Sequence, residues 1–141
     1  MRFYADNMLS GTIMRIGRGR VGATASILIG NAQIDARMPA EAVDRLGLAA
    51  GMEVTAMFDA ARVQFVGDRG RVTHISEVNK LAGVVSRIEE QPERTRVTLA
   101  LSNGVEVVGD VEPTTLESLG LREGWPAVAI IKPEDVFVGV E

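Results

Sequence analysis

The feature that most constrains this chain of 141 residues is a residue pattern that occurs in it twice. The pattern begins at Asn7 and again at Asn79, an offset of 72 residues that becomes 73 after one extra residue near Asn103. The first copy carries the landmarks Asn7, Leu9, Gly11, Arg15, Ile16, Leu46, Gly47, Leu48, Gly51, Ala56 and Val63, and the second carries Asn79, Leu81, Gly83, Arg87, Ile88, Leu119, Gly120, Leu121, Gly124, Ala129 and Val136. Solenoids and propellers usually repeat at roughly 20–50 residues. The longer period predicts two tandem small domains, residues 1–67 and 68–141.

The size of each half limits how it can be stabilised. A chain of this length is near the size at which a single hydrophobic core is marginal. Apolar residues make up 46% of the sequence, which favours a packed core over disorder. We therefore expect the halves to pack on each other, on other chains, or both.

The composition excludes several classes of protein. The sequence has no cysteine, which excludes disulfides and thiolate metal sites. The first residues lack the apolar run of a signal peptide, and no stretch approaches the roughly 20 apolar residues that span a bilayer. His74 has no potential ligands at metal-site spacing, so we predict a linker residue and no metal cation. We expect a cytoplasmic protein without a membrane partner.

The charge is small and unevenly distributed. The net charge is −4; residues 1–70 hold eight basic and seven acidic side chains, whereas residues 71–141 hold seven and twelve. A general nucleic-acid binder needs a basic face, so we predict no nucleic-acid partner. Any anion site must be local and preorganised, because the field of the whole protein does not attract anions.

Strand patterns dominate the local sequence. Apolar and polar residues alternate in the stretches 33–38, 96–101 and 105–111, a period of two that predicts half-buried strands. The Asn103-Gly104 pair between two of these stretches is typical of a hairpin turn. The stretch 127–131 has no polar member, which predicts a strand buried on both faces, one of them against another domain or subunit.

Each half also contains one short helix. Pro39 and Pro113 stand at the predicted first helical positions, and Gly47 and Gly120 follow the last ones. About five strands and one short helix in each half suit a small closed barrel. We therefore predict an all-β protein, apart from these helices, that consists of two tandem OB-like small β-barrels.

The landmarks resemble those of the Mop domain, a TOBE-like molybdate-binding module. They are Asn-x-Leu-x-Gly, the Gly19-Arg20-Val21 turn, Leu-Gly-Leu-x-x-Gly, and a strand that ends in Ile131-Lys132 before a valine. The resemblance covers residues 5–66 and 77–138, and two such modules resemble a di-Mop molbindin. It implies a homotrimer with six modules, with oxyanion sites at module and subunit interfaces and no catalysis.

The family's ligands come from a Ser-Ala-Arg-Asn run at the module start and a Lys-Ala-Ser-Ser-Val run after the late strand. Residues Ser76, Asn79, Asn7 and Lys132 match these runs. Both late runs lack the serines, and the four departures that most disfavour an anion are Asp6, Val78, Asp59 and Pro133. An aspartate repels a dianion, and proline lacks a backbone donor.

A tetrahedral dianion needs converging N–H and O–H donors and a cation. Lys132 with Ser76 is the best-matched pair for such a clamp. Arg18 and Arg20 lie in a glycine-rich turn that resembles an anion nest, and Arg62 is a candidate replacement for the missing lysine. Thr114 begins a helix, where N–H groups favour anions. The alternative for each residue is an ordinary solvated side chain, or turn or helix-start chemistry.

Two functions from different classes remain open. The first is binding of molybdate or tungstate for storage, buffering or sensing. The second is an assembled scaffold or interaction protein with a degenerate, non-binding site, which the four departures favour. A nucleic-acid-binding barrel pair is a weaker third hypothesis, and no constellation of catalytic residues indicates an enzyme.

Overall fold

The computed structural model describes residues 4–67 and 76–141, and each half contains five strands and one helix. The elements of the first half are β1 (Asn7–Arg18), β2 (Ala23–Ile29), β3 (Ala32–Met38), α1 (Ala40–Leu46), β4 (Glu53–Phe58), a 3₁₀ turn (Ala60–Arg62) and β5 (Gln64–Val66). The elements of the second half are β6 (Asn79–Glu90), β7 (Thr95–Ala100), a 3₁₀ turn (Ser102–Gly104), β8 (Glu106–Val111), α2 (Pro113–Leu119), β9 (Pro126–Ile131), a 3₁₀ turn (Pro133–Asp135) and β10 (Phe137–Gly139). The predicted all-β class with two OB-like modules is confirmed.

The two halves exchange their last strands. One antiparallel sheet has the order β10-β4-β1-β2-β3, and the other has the order β5-β9-β6-β7-β8. Strand β5 thus completes the sheet of the second half, and β10 completes the sheet of the first. The sequence predicts a last strand in each half but not the exchange. The predicted boundary at residues 67 and 68 adjoins residues outside the described range, so it stays a prediction.

The main hydrophobic core joins the halves. It contains side chains from both sheets, among them Ile27 and Phe58 of the first half and Leu99 and Val107 of the second. The expectation that the halves pack on each other is therefore confirmed. Because the exchanged strands contribute Phe65 to this core and pack Val138 against it, neither half encloses its core alone.

Strand β9 is buried on both faces, as its apolar sequence predicts. Ala127, Ala129 and Ile131 face the main core. Val128 and Ile130 belong to a second cluster with Val66 and Val78 packed against it. Val66 comes from the first half, so the second face meets the other module.

The long strands β1 and β6 do not pair with their neighbours in one continuous register. Each has a register irregularity, between Ile13 and Arg15 in β1 and between Val85 and Arg87 in β6. A Cβ atom on Gly83 would lie 2.4 Å from the Ala100 carbonyl oxygen, so only glycine allows this close approach.

The helices end as predicted, but one begins later than expected. Gly47 and Gly120 both have φ 64°, the left-handed conformation of a helix C-terminus. Pro113 lies in the first turn of α2, whereas Pro39 is the residue before α1, with ψ 146°. The prediction that Pro39 occupies the first helical position is therefore wrong. No helix in residues 4–67 and 76–141 is long and apolar enough to cross a membrane.

Candidate functional site

A groove of about 310 Å³ contains two of the predicted ligand residues, Lys132 and Arg62. We call it the turn groove, because it lies beside the 3₁₀ turns that precede β5 and β10. Its lining residues are Ala61, Arg62, Gln64, Val78, Ile130, Lys132 and Asp135. The groove thus draws on both halves of the chain.

The strand exchange positions these side chains. Lys132 directly follows β9 and is the residue before the turn Pro133–Asp135. Arg62 ends the first-half turn, and Gln64 begins β5, where it pairs with Ile130 of β9. Arg62 and Gln64 therefore reach Lys132 only because β5 belongs to the second sheet.

The turn groove suits a small anion. Lys132 provides a compact ammonium, Arg62 a planar guanidinium with several N–H donors, and Gln64 an amide donor. Asp135 is the one carboxylate in the lining, so the two cations leave a net positive charge. The residues described here include no group of three or more His, Cys, Asp or Glu side chains that is able to hold a metal ion.

The predicted ligand residues Asn7 and Asn79 make hydrogen bonds across the junction between the halves. The Asn7 side chain donates to the Val108 carbonyl oxygen at 2.9 Å and accepts from the Val108 N–H at 2.8 Å. The Asn79 side chain makes the equivalent pair with Asp35, at 2.9 and 2.7 Å. Both asparagines are buried. Each side-chain amide bonds to the opposite strand through one donor and one acceptor, as a backbone peptide of a strand does. A ligand role for either asparagine stays a prediction.

Asp6, at a position where the family pattern has arginine, belongs to a charged cluster at this junction. Its carboxylate accepts the N–H of Ala60 at 2.8 Å and pairs with Arg96 at 3.3 Å. Arg96 also makes two hydrogen bonds to Asp110, at 2.8 and 3.1 Å. The Ala60 N–H is the largest cause that lowers the pKa of Asp6, with Tyr4 and Arg96 adding to it against partial burial. The bonds to Asp110 raise the pKa of Arg96.

The repeat-related positions in the second half differ in a consistent way. Asp6 corresponds to Val78, and Ala60 corresponds to Pro133. The carboxylate acceptor and the N–H donor that it binds are therefore both absent there. Val78 instead packs against the apolar cluster of Val128 and Ile130. Val78 thus makes an apolar contact where the first half has the polar contacts of Asp6.

The predicted residues Arg18 and Arg20 lie in a second region, the arginine cleft, of about 520 Å³. Its lining residues are Gly17, Arg18, Gly19, Arg20, Val21, Gly22, Thr24 and Arg37. Arg18 forms an exposed ion pair with Asp44 at 2.9 Å. The cleft is basic but open, and it does not share a lining residue with the turn groove.

Ser76 and Thr114 line neither the turn groove nor the arginine cleft. Ser76 is exposed, so its predicted pairing with Lys132 stays a prediction. Thr114 is exposed on α2, where its carbonyl oxygen accepts the Ser118 hydroxyl at 2.9 Å. The structure adds two cavity residues that the sequence did not indicate, Gln64 and Arg37. Gln64 has no local signal, because it reaches the groove only through the strand exchange.

The pattern of the TOBE domain matches the chain over residues 4–65 and again over residues 69–138. The chain belongs to the TOBE-domain family. Its two TOBE halves correspond to the two copies of the repeat, and each match includes one module start and one late turn.

The two TOBE halves are also similar to named proteins. The chain is 31% identical to the molybdenum-pterin-binding protein MopA of Rhodobacter capsulatus, over 99% of this chain and 53% of that protein. It is 28% identical to the transcriptional regulator ModE of Yersinia pestis, over 95% of this chain and 51% of that protein. The chain thus spans about half the length of these curated relatives. Their names describe binding or regulatory proteins rather than enzymes.

The tandem TOBE fold has a solved counterpart. A crystal structure of the cytoplasmic molybdate-binding protein ModG, with molybdate bound, superposes with a TM-score of 0.91. The sequences are 35% identical, and the superposition covers 100% of both chains. The similarity therefore includes both TOBE halves.

Proposed function

We propose that this protein binds molybdate without catalysing a reaction on it, and that it does so in the cytoplasm. The observation that carries the proposal is the full-length similarity to ModG, whose crystal structure holds molybdate. The similarity to MopA supports the same ligand chemistry. No relative described above favours the alternative of a non-binding scaffold.

We place the anion in the turn groove, with Lys132 and Arg62 as its cations and Gln64 as a further donor. The groove has a net positive lining in a chain whose net charge is −4. Charge-assisted N–H donors at such a position bind a dianion more strongly than neutral donors. Equilibrium binding of this kind suits storage, buffering or sensing, and tungstate has the same tetrahedral shape and charge.

We also propose that the protein self-associates, as a homotrimer with six modules, and that sites at subunit interfaces are completed by neighbouring copies. Exposed apolar side chains support an interface. Tyr4 is 83% exposed and Phe137 is 66% exposed, and both line a cleft with Met57 and Val138. A measured molar mass in solution of one chain would contradict this part of the proposal.

Isothermal titration with molybdate, with tungstate as second ligand and sulfate as control, tests the function. We expect saturable molybdate binding and a rise in the unfolding temperature, because a ligand that binds only the folded state stabilises it. Lys132→Ala and Arg62→Ala are expected to weaken binding at least about tenfold, the equivalent of about 1.4 kcal/mol.

The matched controls remove the same charges elsewhere. Lys80→Ala removes the other lysine of the chain, and Arg45→Ala removes an exposed arginine of α1. Neither residue lines the turn groove or the arginine cleft, so both variants should bind like the parent protein. If Arg20→Ala abolishes binding and Lys132→Ala does not, the site is the arginine cleft. Absence of binding at saturating molybdate would refute the proposed function.

A further inference from the structure

The turn groove has a repeat-related counterpart in the first half. The offset of 73 residues relates Lys132 to Asp59 and Ile130 to Met57, and it relates Phe137 to Gln64. Asp59, Met57 and Phe137 line a single cleft of about 600 Å³, which we call the first-half cleft. Its lining residues are Tyr4, Ala5, Leu46, Met57, Phe58, Asp59, Phe137, Val138, Gly139 and Val140.

The backbone is equivalent at the two positions. In the turn groove, Gln64 of the exchanged strand β5 pairs with Ile130 of β9. In the first-half cleft, Phe137 of the exchanged strand β10 pairs with Met57 of β4. In each case the residue that matters for charge, Lys132 or Asp59, directly precedes a 3₁₀ turn. The chemical difference between the two positions therefore arises from side chains and not from a different fold.

The side chains are opposite in character. Where the turn groove has an ammonium, the first-half cleft has the carboxylate of Asp59, and where the groove has the Gln64 amide, the cleft has the Phe137 ring. The lining of the first-half cleft contains no lysine or arginine. A carboxylate beside a dianion is repulsive, and an apolar ring offers no hydrogen bond in return for the lost hydration.

We infer that the two halves are functionally unequal: each chain binds one oxyanion, at the turn groove, and Asp59 excludes the oxyanion from the repeat-related position. The inference rests on the proposed function and adds to it the number of sites and a residue that determines which half binds. The strand exchange makes the single site composite, because Arg62 and Gln64 come from the first half and Lys132 from the second.

The test is the number of molybdate ions bound per chain, measured by titration and by native mass spectrometry. For the parent protein we expect one molybdate per chain at the turn groove and none at the first-half cleft. For Lys132→Ala we expect the affinity for molybdate to fall at least tenfold. Two ions per chain, of which Lys132→Ala removes only one, would overturn the inference but leave the proposed function intact. No binding at all would overturn the proposed function and the inference with it.

A gain of binding tests the role of Asp59 directly. The double variant Asp59→Lys with Phe137→Gln gives the first-half cleft the lysine and glutamine of the turn groove. We expect a second molybdate per chain in this variant. Glu106→Lys is the matched control, since it makes the same charge change at an exposed position of β8 outside both cavities, and it should keep one ion.

Two further outcomes complete the test. A folded double variant that still binds one ion would show that Asp59 is not the determinant and would overturn that part of the inference. If the double variant does not fold, or if Phe137→Gln lowers the molar mass by disrupting the proposed subunit interface, Asp59→Ala provides the second measurement, because it keeps Phe137. Weak additional binding after removal of this carboxylate supports exclusion by charge, and an unchanged titration contradicts it.

Discussion

At the scale of the residue, the cluster of Asp6, Arg96 and Asp110 explains why one position departs from the family pattern. Asp6 lies 90 residues from Arg96 in the sequence, yet their side chains meet at 3.3 Å across the junction between the halves. Asp6 also binds the N–H of Ala60. The carboxylate therefore stabilises the junction, and it is not simply a lost ligand.

Replacement of Arg96 is expected to destabilise the fold. Arg96→Met leaves Asp110, whose side chain is 9% exposed, with only the longer contact to Arg94 at 3.5 Å. When a poorly solvated charged group loses its hydrogen-bond partner, the free energy of unfolding falls by about 1–3 kcal/mol. Arg18→Met is the control, because its pair with Asp44 is exposed and exposed pairs contribute less than about 1 kcal/mol. Urea unfolding of the three proteins measures both effects, and equal losses for the two variants would contradict the assignment.

The contribution of Asp6 should depend on pH. Its pKa in the folded protein is lowered from the ordinary value of 3.8, chiefly by the Ala60 N–H. A group with a lowered folded pKa stabilises the fold above its unfolded pKa, and this contribution is lost as the pH falls through the folded pKa. The stability advantage of the parent protein over Asp6→Asn should therefore be constant from pH 7 to about 5 and decrease below about 4. Unfolding free energies measured from pH 7 to pH 2.5 check this, and a constant difference would disprove it.

At the scale of the element, asparagine side chains join strands of different halves. Asn79 lies at the start of β6 and pairs with the backbone of Asp35 in β3, while Asn7 at the start of β1 pairs with Val108 in β8. Each amide donates one hydrogen bond to the strand of the other half and accepts one from it, as a residue of a strand ladder does. Asn7 also donates to the Phe58 carbonyl oxygen of its own half at 3.3 Å. The asparagine shared by the two copies of the repeat is therefore explained by the junction that it forms.

Asn79→Ala should weaken this junction. The substitution leaves the N–H and the carbonyl oxygen of Asp35 without these partners, at an expected cost of roughly 2–4 kcal/mol for two bonds. Asn31→Ala removes one exposed contact with Ser102 and should cost less than about 1 kcal/mol. Thermal unfolding distinguishes the variants. If Asn79→Ala retained full stability and lost only molybdate binding, Asn79 would be a ligand rather than a junction residue.

At the scale of the whole molecule, the exchange of β5 and β10 makes the halves interdependent. The ring of Phe65 in β5 lies against Gly109 of β8, where a Cβ atom would be 2.4 Å from the ring. Core residues of both halves form one cluster. Both halves also line the turn groove, so assembly of the two halves is a condition for the proposed function.

Neither half should therefore fold as a monomer. Residues 1–67 and 68–141, produced separately, would each lack the strand that completes its sheet. We expect no cooperative unfolding of either monomeric fragment, and recovery of structure when the two are mixed. Circular dichroism with analytical ultracentrifugation measures both. A monomeric half with a cooperative transition would show that each half is able to accept its own last strand.

The sequence by itself determined the repeat, the strands and the helix ends. Strand patterns at positions 33–38 and 96–101 and the glycines after each helix act through local geometry, so they are visible without a tertiary structure. The apolar run in β9 likewise predicted burial on both faces. The count of strands and helices predicted the OB-like fold class, and the resemblance to a di-Mop molbindin over residues 5–66 and 77–138 implied the same class, which the structure confirms.

Only the tertiary structure decided which sheet each last strand joins. A short strand presents the same backbone hydrogen-bonding groups to the sheet of its own half and to that of the other half, and local sequence does not distinguish the two pairings. This choice brings Arg62 and Gln64 beside Lys132. The same tertiary packing places the Asp6 carboxylate in hydrogen-bonding contact with Arg96, although the two residues are 90 positions apart in the chain. The elements are thus set by local periodicity, whereas the site is set by the pairing of distant strands.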